Sequence, residues 1–111
     1  MTSTEKQLFD LIDNARVDNG CARLKQDPSL TGGARSTASD RAASGQNLNS
    51  GTGAGGNKMT AQQAYNRLMK NAQSTVLNCG LTALGVGFDS KQTCTLLIIC
   101  TDRNAWVAKF S

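Results

Sequence analysis

LTALGVGFDSKQTCTLLIICTDRNAWVAKF, residues 81–110, is the stretch whose reading decides the fold. Short apolar runs alternate with polar, turn-forming clusters: Leu81 to Phe88, Asp89-Ser90-Lys91-Gln92, Thr93 to Cys100, Thr101-Asp102-Arg103-Asn104, and Ala105 to Phe110. Runs of this length, rich in β-branched and aromatic residues and bounded by such clusters, predict a three-stranded antiparallel meander. In its last strand Trp106, Ala108 and Phe110 share one face while Val107 and Lys109 point the other way. The bulky face reads most simply as core against helices, and in functional terms as one wall of a groove for a lipid. Leu96, Leu97, Ile98 and Ile99 are apolar on both faces, as in a central strand covered on both sides. Such a strand calls for two covering layers.

The upstream sequence supplies helices to cover it. Leu8, Leu11, Ile12 and Ala15 recur at i, i+3, i+4 and i+7, which predicts an amphipathic helix from about residue 4 to 18. Thr2 with Glu5, or Thr4 with Gln7, can form a capping box at its start, and Gly20 suits its end. Asp27-Pro28 reads as an N-cap followed by a preformed first position, opening a second helix with a thin stripe of Leu30, Ala34, Ala38 and Ala42. Thr60 with Gln63 caps a third, whose apolar face is Ala61, Ala64, Tyr65, Leu68 and Met69 and which ends near Asn71. Between the second and third, residues 45–58 (GQNLNSGTGAGGNK) read as a flexible glycine-rich surface loop. Helices first and sheet last make an α+β chain, expected to be a single domain over 1–111. At 39% apolar and 18% charged residues it lies outside the composition range of disordered chains.

Composition then removes much chemistry. With four cysteines and no histidine, the chain cannot build a Ser-His-Asp or Cys-His catalytic group, a facial triad, or a mixed Cys/His zinc site. No C-x-x-C occurs, so Cys21, Cys79, Cys94 and Cys100 read as disulfide partners, with three possible pairings. Gly51, Gly53 and Gly56 satisfy G-x-G-x-x-G, but no predicted strand precedes them and no helix follows directly, so a solvated loop is the better reading. Glu5, Asp10, Asp13 and Asp18 read mostly as charge on the solvated side of the first helix rather than as a paired-acid catalyst. Arg16, Arg23, Lys25, Arg35, Arg41, Arg67 and Lys70 are spread out and few aromatics accompany them, so no nucleic-acid partner is expected. The polar start, Met1 to Lys6, carries no signal peptide, and an export signal is expected to have been removed.

Six segments in register resemble the CAP superfamily of cysteine-rich secretory, antigen 5 and pathogenesis-related proteins, and in particular its short secreted actinobacterial single-domain members. They are Leu11-Ile12-Asp13-Asn14-Ala15-Arg16, Gly20-Cys21-Ala22-Arg23-Leu24, Asp27-Pro28-Ser29-Leu30, Gly45-Gln46-Asn47-Leu48, Val76-Leu77-Asn78-Cys79 with Leu84-Gly85-Val86-Gly87, and Ala105 to Phe110. The resemblance implies a three-layer α-β-α sandwich, reduced here to three helices and the meander, and a Cys21–Cys79 disulfide. Cys94 would then pair with Cys100, although in one straight strand they stand about 20 Å apart. Pairing 79 with 100 and 21 with 94 is the alternative, if the hairpin turns at Ser90-Lys91.

The departures from the family pattern point to function. Gln46 stands where the family's G-E-N motif has its glutamate, no histidine is available, and Met69 to Ser74 lacks the family's S-P-G-H. The cleft marked by Gln46, Asn47 and Gln73 is therefore expected to be degenerate, with no metal, no cofactor and no catalytic residue. Two expectations follow from the resemblance, both for a secreted, monomeric, non-catalytic module. One is a lipid or sterol carrier whose apolar cavity is bordered by the second and third helices and touched by Leu48, Tyr65, Leu68 and Trp106. The other is a module with a closed core that engages a protein or envelope component.

Overall fold

The computed structural model describes residues 1–96 and 98–111. Thr2 caps helix α1 (Ser3–Asp18) through a complete capping box with Glu5. Asp27 accepts hydrogen bonds from the backbone N–H groups of Ser29 and Leu30, and Pro28 opens α2 (Pro28–Ser44). Thr60 and Gln63 form the capping box of α3 (Ala61–Asn71), and a short α4 (Gln73–Val76) follows it. The strands are β1 (Lys25–Gln26), β2 (Gly53–Asn57), β3 (Ala83–Thr95) and β4 (Ile99–Phe110). They form one mixed sheet in the order β1-β3-β4-β2, with β1 parallel to β3 and the other pairs antiparallel.

Side-chain alternation divides the core into two layers. Leu84, Val86, Trp106 and Ala108 face α1 and α3 in a cluster with Leu8, Ile12, Ala64 and Leu68. On the other face Ala105 and Val107 meet Ala34, Ala38 and Ala42 of α2. The small residues on α2 are matched by glycines on β3. A Cβ on Gly85 would strike the backbone of Leu30 and Thr31, and one on Gly87 that of Ala34 and Arg35. The α2 backbone therefore rests directly on the sheet, closer than any larger pair would allow.

Three strand expectations need correction. The C-terminal meander is a single long hairpin: β3 and β4 pair continuously from Leu84 with Phe110 to Thr95 with Ile99. The polar clusters at 89–92 and 101–104 lie within the strands, because this half of the ribbon is solvated and polar side chains suit it. The run at 96–99 is consequently the hairpin end and not a covered central strand; Leu96, Ile98 and Ile99 are exposed, and Leu97 lies outside the described residues. Finally, residues 45–58 are not loop throughout, since Gly53–Asn57 pairs with β4 from Val107 to Arg103. The missing Cβ atoms that made this segment read as loop let β2 lie tightly against Arg41 and Leu48.

Both disulfides join the residues that the family resemblance implied, Cys21 with Cys79 and Cys94 with Cys100. The alternative pairing fails because the hairpin turns beyond Thr95, which places Cys94 directly across from Cys100 at a Cα separation of 4.0 Å.

The carboxylates of α1 are not all decoration. Glu5 is only 2% exposed and accepts from Arg35 Nε and Nη2, both at 2.7 Å, which ties α1 to α2. Asp13 is buried and accepts from the Leu24 backbone N–H at 2.7 Å and from Arg23 Nη1 at 2.7 Å. Arg16 is 1% exposed and donates through Nη1 to the carbonyls of Val76 and Asn78, and through Nη2 to that of Leu81. It thereby gathers the turn that carries Cys79.

Candidate functional site

The seven residues singled out from sequence do not converge. Gln46 and Asn47 are exposed in the turn after α2, where Asn47 takes a left-handed backbone conformation (φ 58°). Gln73 is exposed at the start of α4, beyond α3. Among the described residues no hydrogen bond links Gln73 to the other two. Leu48 packs against the alanine cluster on the α2 side of the sheet. Tyr65, Leu68 and Trp106 belong to the cluster on the opposite side. The sheet stands between them, so one cavity bordered by both α2 and α3 has no place in this architecture.

The apolar residues on the α1–α3 side are engaged in packing. Trp106 is 2% exposed, stacks obliquely on Phe88 with ring centroids 4.5 Å apart, and donates its indole N–H to the Met59 carbonyl at 3.0 Å. Leu68 is buried beneath it in the same cluster. Tyr65 lines a groove of about 290 Å³ shared with Ala15, Asn19, Met69 and Leu77.

A larger concavity lies elsewhere, between β2 and α3, with a volume of about 460 Å³. Its walls are the backbone of Gly55 and Gly56, the side chains of Asn57 and Met59, and a helical row of Gln63, Asn66, Arg67 and Lys70. Those four recur at i, i+3, i+4 and i+7, so α3 turns its apolar stripe to the core and one continuous polar stripe to the cleft. Two of the four are partly occupied: Gln63 completes the capping box, and Asn66 accepts from Gln62 Nε2 at 2.9 Å. Arg67 and Lys70 make no ion pair with a carboxylate among the described residues. Arg67 and Lys70 are also the only charged residues in the lining, giving it a positive potential without acid–base partners.

Sequence reasoning missed this cleft because it followed the apolar stripe of α3 and read Arg67 and Lys70 only as scattered basic residues. The available signal was the polar repeat at the same period. It acquires a facing wall only when residues 53–57 become a strand, which the glycines concealed. Gly56 of the G-x-G-x-x-G run contributes to that wall, and two amides within the run are already spent on structure. Gly53 N–H donates to the Ser50 carbonyl at 3.1 Å, and Gly55 N–H to Asn49 Oδ1 at 3.0 Å.

No protein-family model and no curated protein matches the chain. Among solved structures, the chain is similar in fold to MpPR-1i. The two share 16% sequence identity at a TM-score of 0.62, over 96% of this chain and 87% of the other. The α+β architecture described above is thus PR-1-like.

Proposed function

We propose that the protein is an extracellular, non-catalytic CAP-like binding module with a closed core, which recognises its partner at the surface and not by enclosing a lipid. The observation that carries this reading is the division of Leu48 from Tyr65, Leu68 and Trp106 by the sheet, with Trp106 and Leu68 sealed in packing. Two disulfides favour an oxidising compartment, and the six segments in register together with the PR-1-like fold favour the family. The β2–α3 cleft is the recognition surface, and its unpaired Arg67 and Lys70 flanked by amide side chains suit an anionic, hydroxyl-rich group such as that of an envelope polysaccharide.

Native mass spectrometry of the oxidised protein tests the closed core. Incubation with fatty acids, sterols and phosphatidylcholine is expected to leave the mass unchanged. A discrete adduct of one lipid per chain, competed by pure lipid of the same class, would replace this reading with the carrier. Titration with an acidic polysaccharide tests the cleft. Amide shifts are expected at Asn57, Asn66, Arg67 and Lys70, and Arg67→Glu with Lys70→Glu should abolish them at unchanged melting temperature.

A further inference from the structure

The β3–β4 hairpin continues well past the body of the molecule. From the pair Ser90 and Asn104 to the pair Thr95 and Ile99 it runs five residue steps, roughly 17 Å of two-stranded ribbon. Along that length no described residue is buried. The ribbon helps to account for a molecule measuring 50 × 25 × 22 Å. At its end Leu96 is 81% exposed, Ile98 84% and Ile99 54%, making it the main exposed aliphatic cluster among the described residues. Bare two-stranded ribbons are marginal in water, yet this one is stapled just behind the tip by Cys94–Cys100. From Gln92 to Thr101 the sequence holds no charged residue. Behind the tip, Thr93 and Thr101 face each other across the ribbon with their hydroxyl oxygens 3.1 Å apart. Gln92 and Asp102 form the next pair back, and Lys91 with Arg103 the one after it.

We propose that this tip is a membrane foot, which seats Leu96, Ile98 and Ile99 at the acyl boundary of an anionic lipid bilayer. Three features favour a bilayer over a protein. The surface is convex and small, far short of the roughly 20–30 residues a side that a stable protein interface uses. Its side chains are all aliphatic, with none of the Trp, Tyr or Arg anchors that dominate protein hot spots. The order from tip to body is aliphatic, then uncharged polar, then the charged residues Asp102, Lys91 and Arg103. An uncharged polar zone thus separates the apolar end from the first charges, as the interface separates acyl chains from headgroups in a leaflet. The net charge of +4 adds attraction to anionic headgroups that weakens as salt rises. Insertion stays shallow, because the turn's backbone groups must keep their contact with water. The tip is a different surface from the β2–α3 cleft, so the two assignments fail separately.

Flotation of the oxidised full chain with phosphatidylcholine vesicles, with and without phosphatidylglycerol, tests the proposal. The wild type is expected to float with the anionic vesicles. Leu96→Ser with Ile98→Ser should lower its partition at least about tenfold, as loss of two aliphatic side chains implies, without changing the melting temperature. A tryptophan introduced by Ile98→Trp should be quenched by brominated acyl chains, while the buried Trp106 is not. Failure of the wild type to float, or equal flotation of the double variant, would overturn the proposal. A dimer in sedimentation velocity that the double variant abolishes, without flotation of the wild type, would reassign the tip to self-association.

Discussion

The Glu5 carboxylate accepts two hydrogen bonds from Arg35 and one from the Thr2 backbone N–H. Burial pushes its pKa up, but the hydrogen bonds and charge of Arg35, together with Thr2, outweigh that and hold it below the ordinary 4.5. A carboxylate with a depressed folded-state pKa contributes stability above its unfolded value and loses it as pH falls through the folded one. Glu5→Gln is therefore expected to lower the melting temperature at pH 7, and the gap from wild type should close on acidification below about 4.5. Melts of both proteins at pH 7 and pH 3 check this; a gap unchanged at pH 3 would show that charge is not what the pair contributes. Arg16 stands at the other end of the same helix face. Burial lowers its pKa and Asp13 opposes the shift. The period was legible here and the charge obscured it. Glu5, Leu8, Phe9, Ile12, Asp13 and Arg16 are the buried face of α1, a helical repeat that an apolar-only reading displaces toward Leu11 and Ala15.

Among the elements, α2 and β3 meet backbone against backbone. Because the atoms facing Gly85 and Gly87 belong to the α2 backbone, a methyl group cannot be accommodated by a rotamer change. Gly87→Ala is expected to destabilise the protein by about 3 kcal/mol or more, whereas Gly32→Ala in α2, whose Cβ would meet nothing within 4 Å, should be neutral or mildly stabilising. Urea unfolding of the two variants separates these outcomes. The helices could be read from sequence because their ends are written locally, in Thr2 and Glu5, Asp27 and Pro28, and Thr60 and Gln63. The strands were legible only where a face was buried. Trp106, Ala108 and Phe110 alternated as read, but the solvated half of the hairpin has no apolar face to alternate, so Asp89 to Gln92 and Thr101 to Asn104 resembled turns. β2 was hidden for the opposite reason, since its glycines carry no strand preference and their pairing depends on a partner some 50 residues away. The cleft depends on β2 and was hidden with it.

On the scale of the whole molecule the two disulfides do different work. Cys21–Cys79 closes a long loop that holds α2, β2 and α3, and removing it by Cys21→Ser with Cys79→Ser should cost about 4 kcal/mol. Cys94–Cys100 closes a short loop in the solvated ribbon. Cys94→Ser with Cys100→Ser should leave the unfolding midpoint of Trp106 fluorescence within about 0.5 kcal/mol of the wild type, because Trp106 reports the body and not the arm. A large loss in that variant would mean that the ribbon is coupled to the core. The order of the sheet has a consequence for biogenesis. β4 follows every other element along the chain, yet it lies between β3 and β2 and carries Trp106 into the core. Until residues 99–110 have been synthesised, β2 has no neighbour and β3 only the two-residue β1. Such distant pairings are slow to form. The nascent polypeptide therefore emerges without a sheet to fold onto, and stays open and extensible until residues 99–110 have been made.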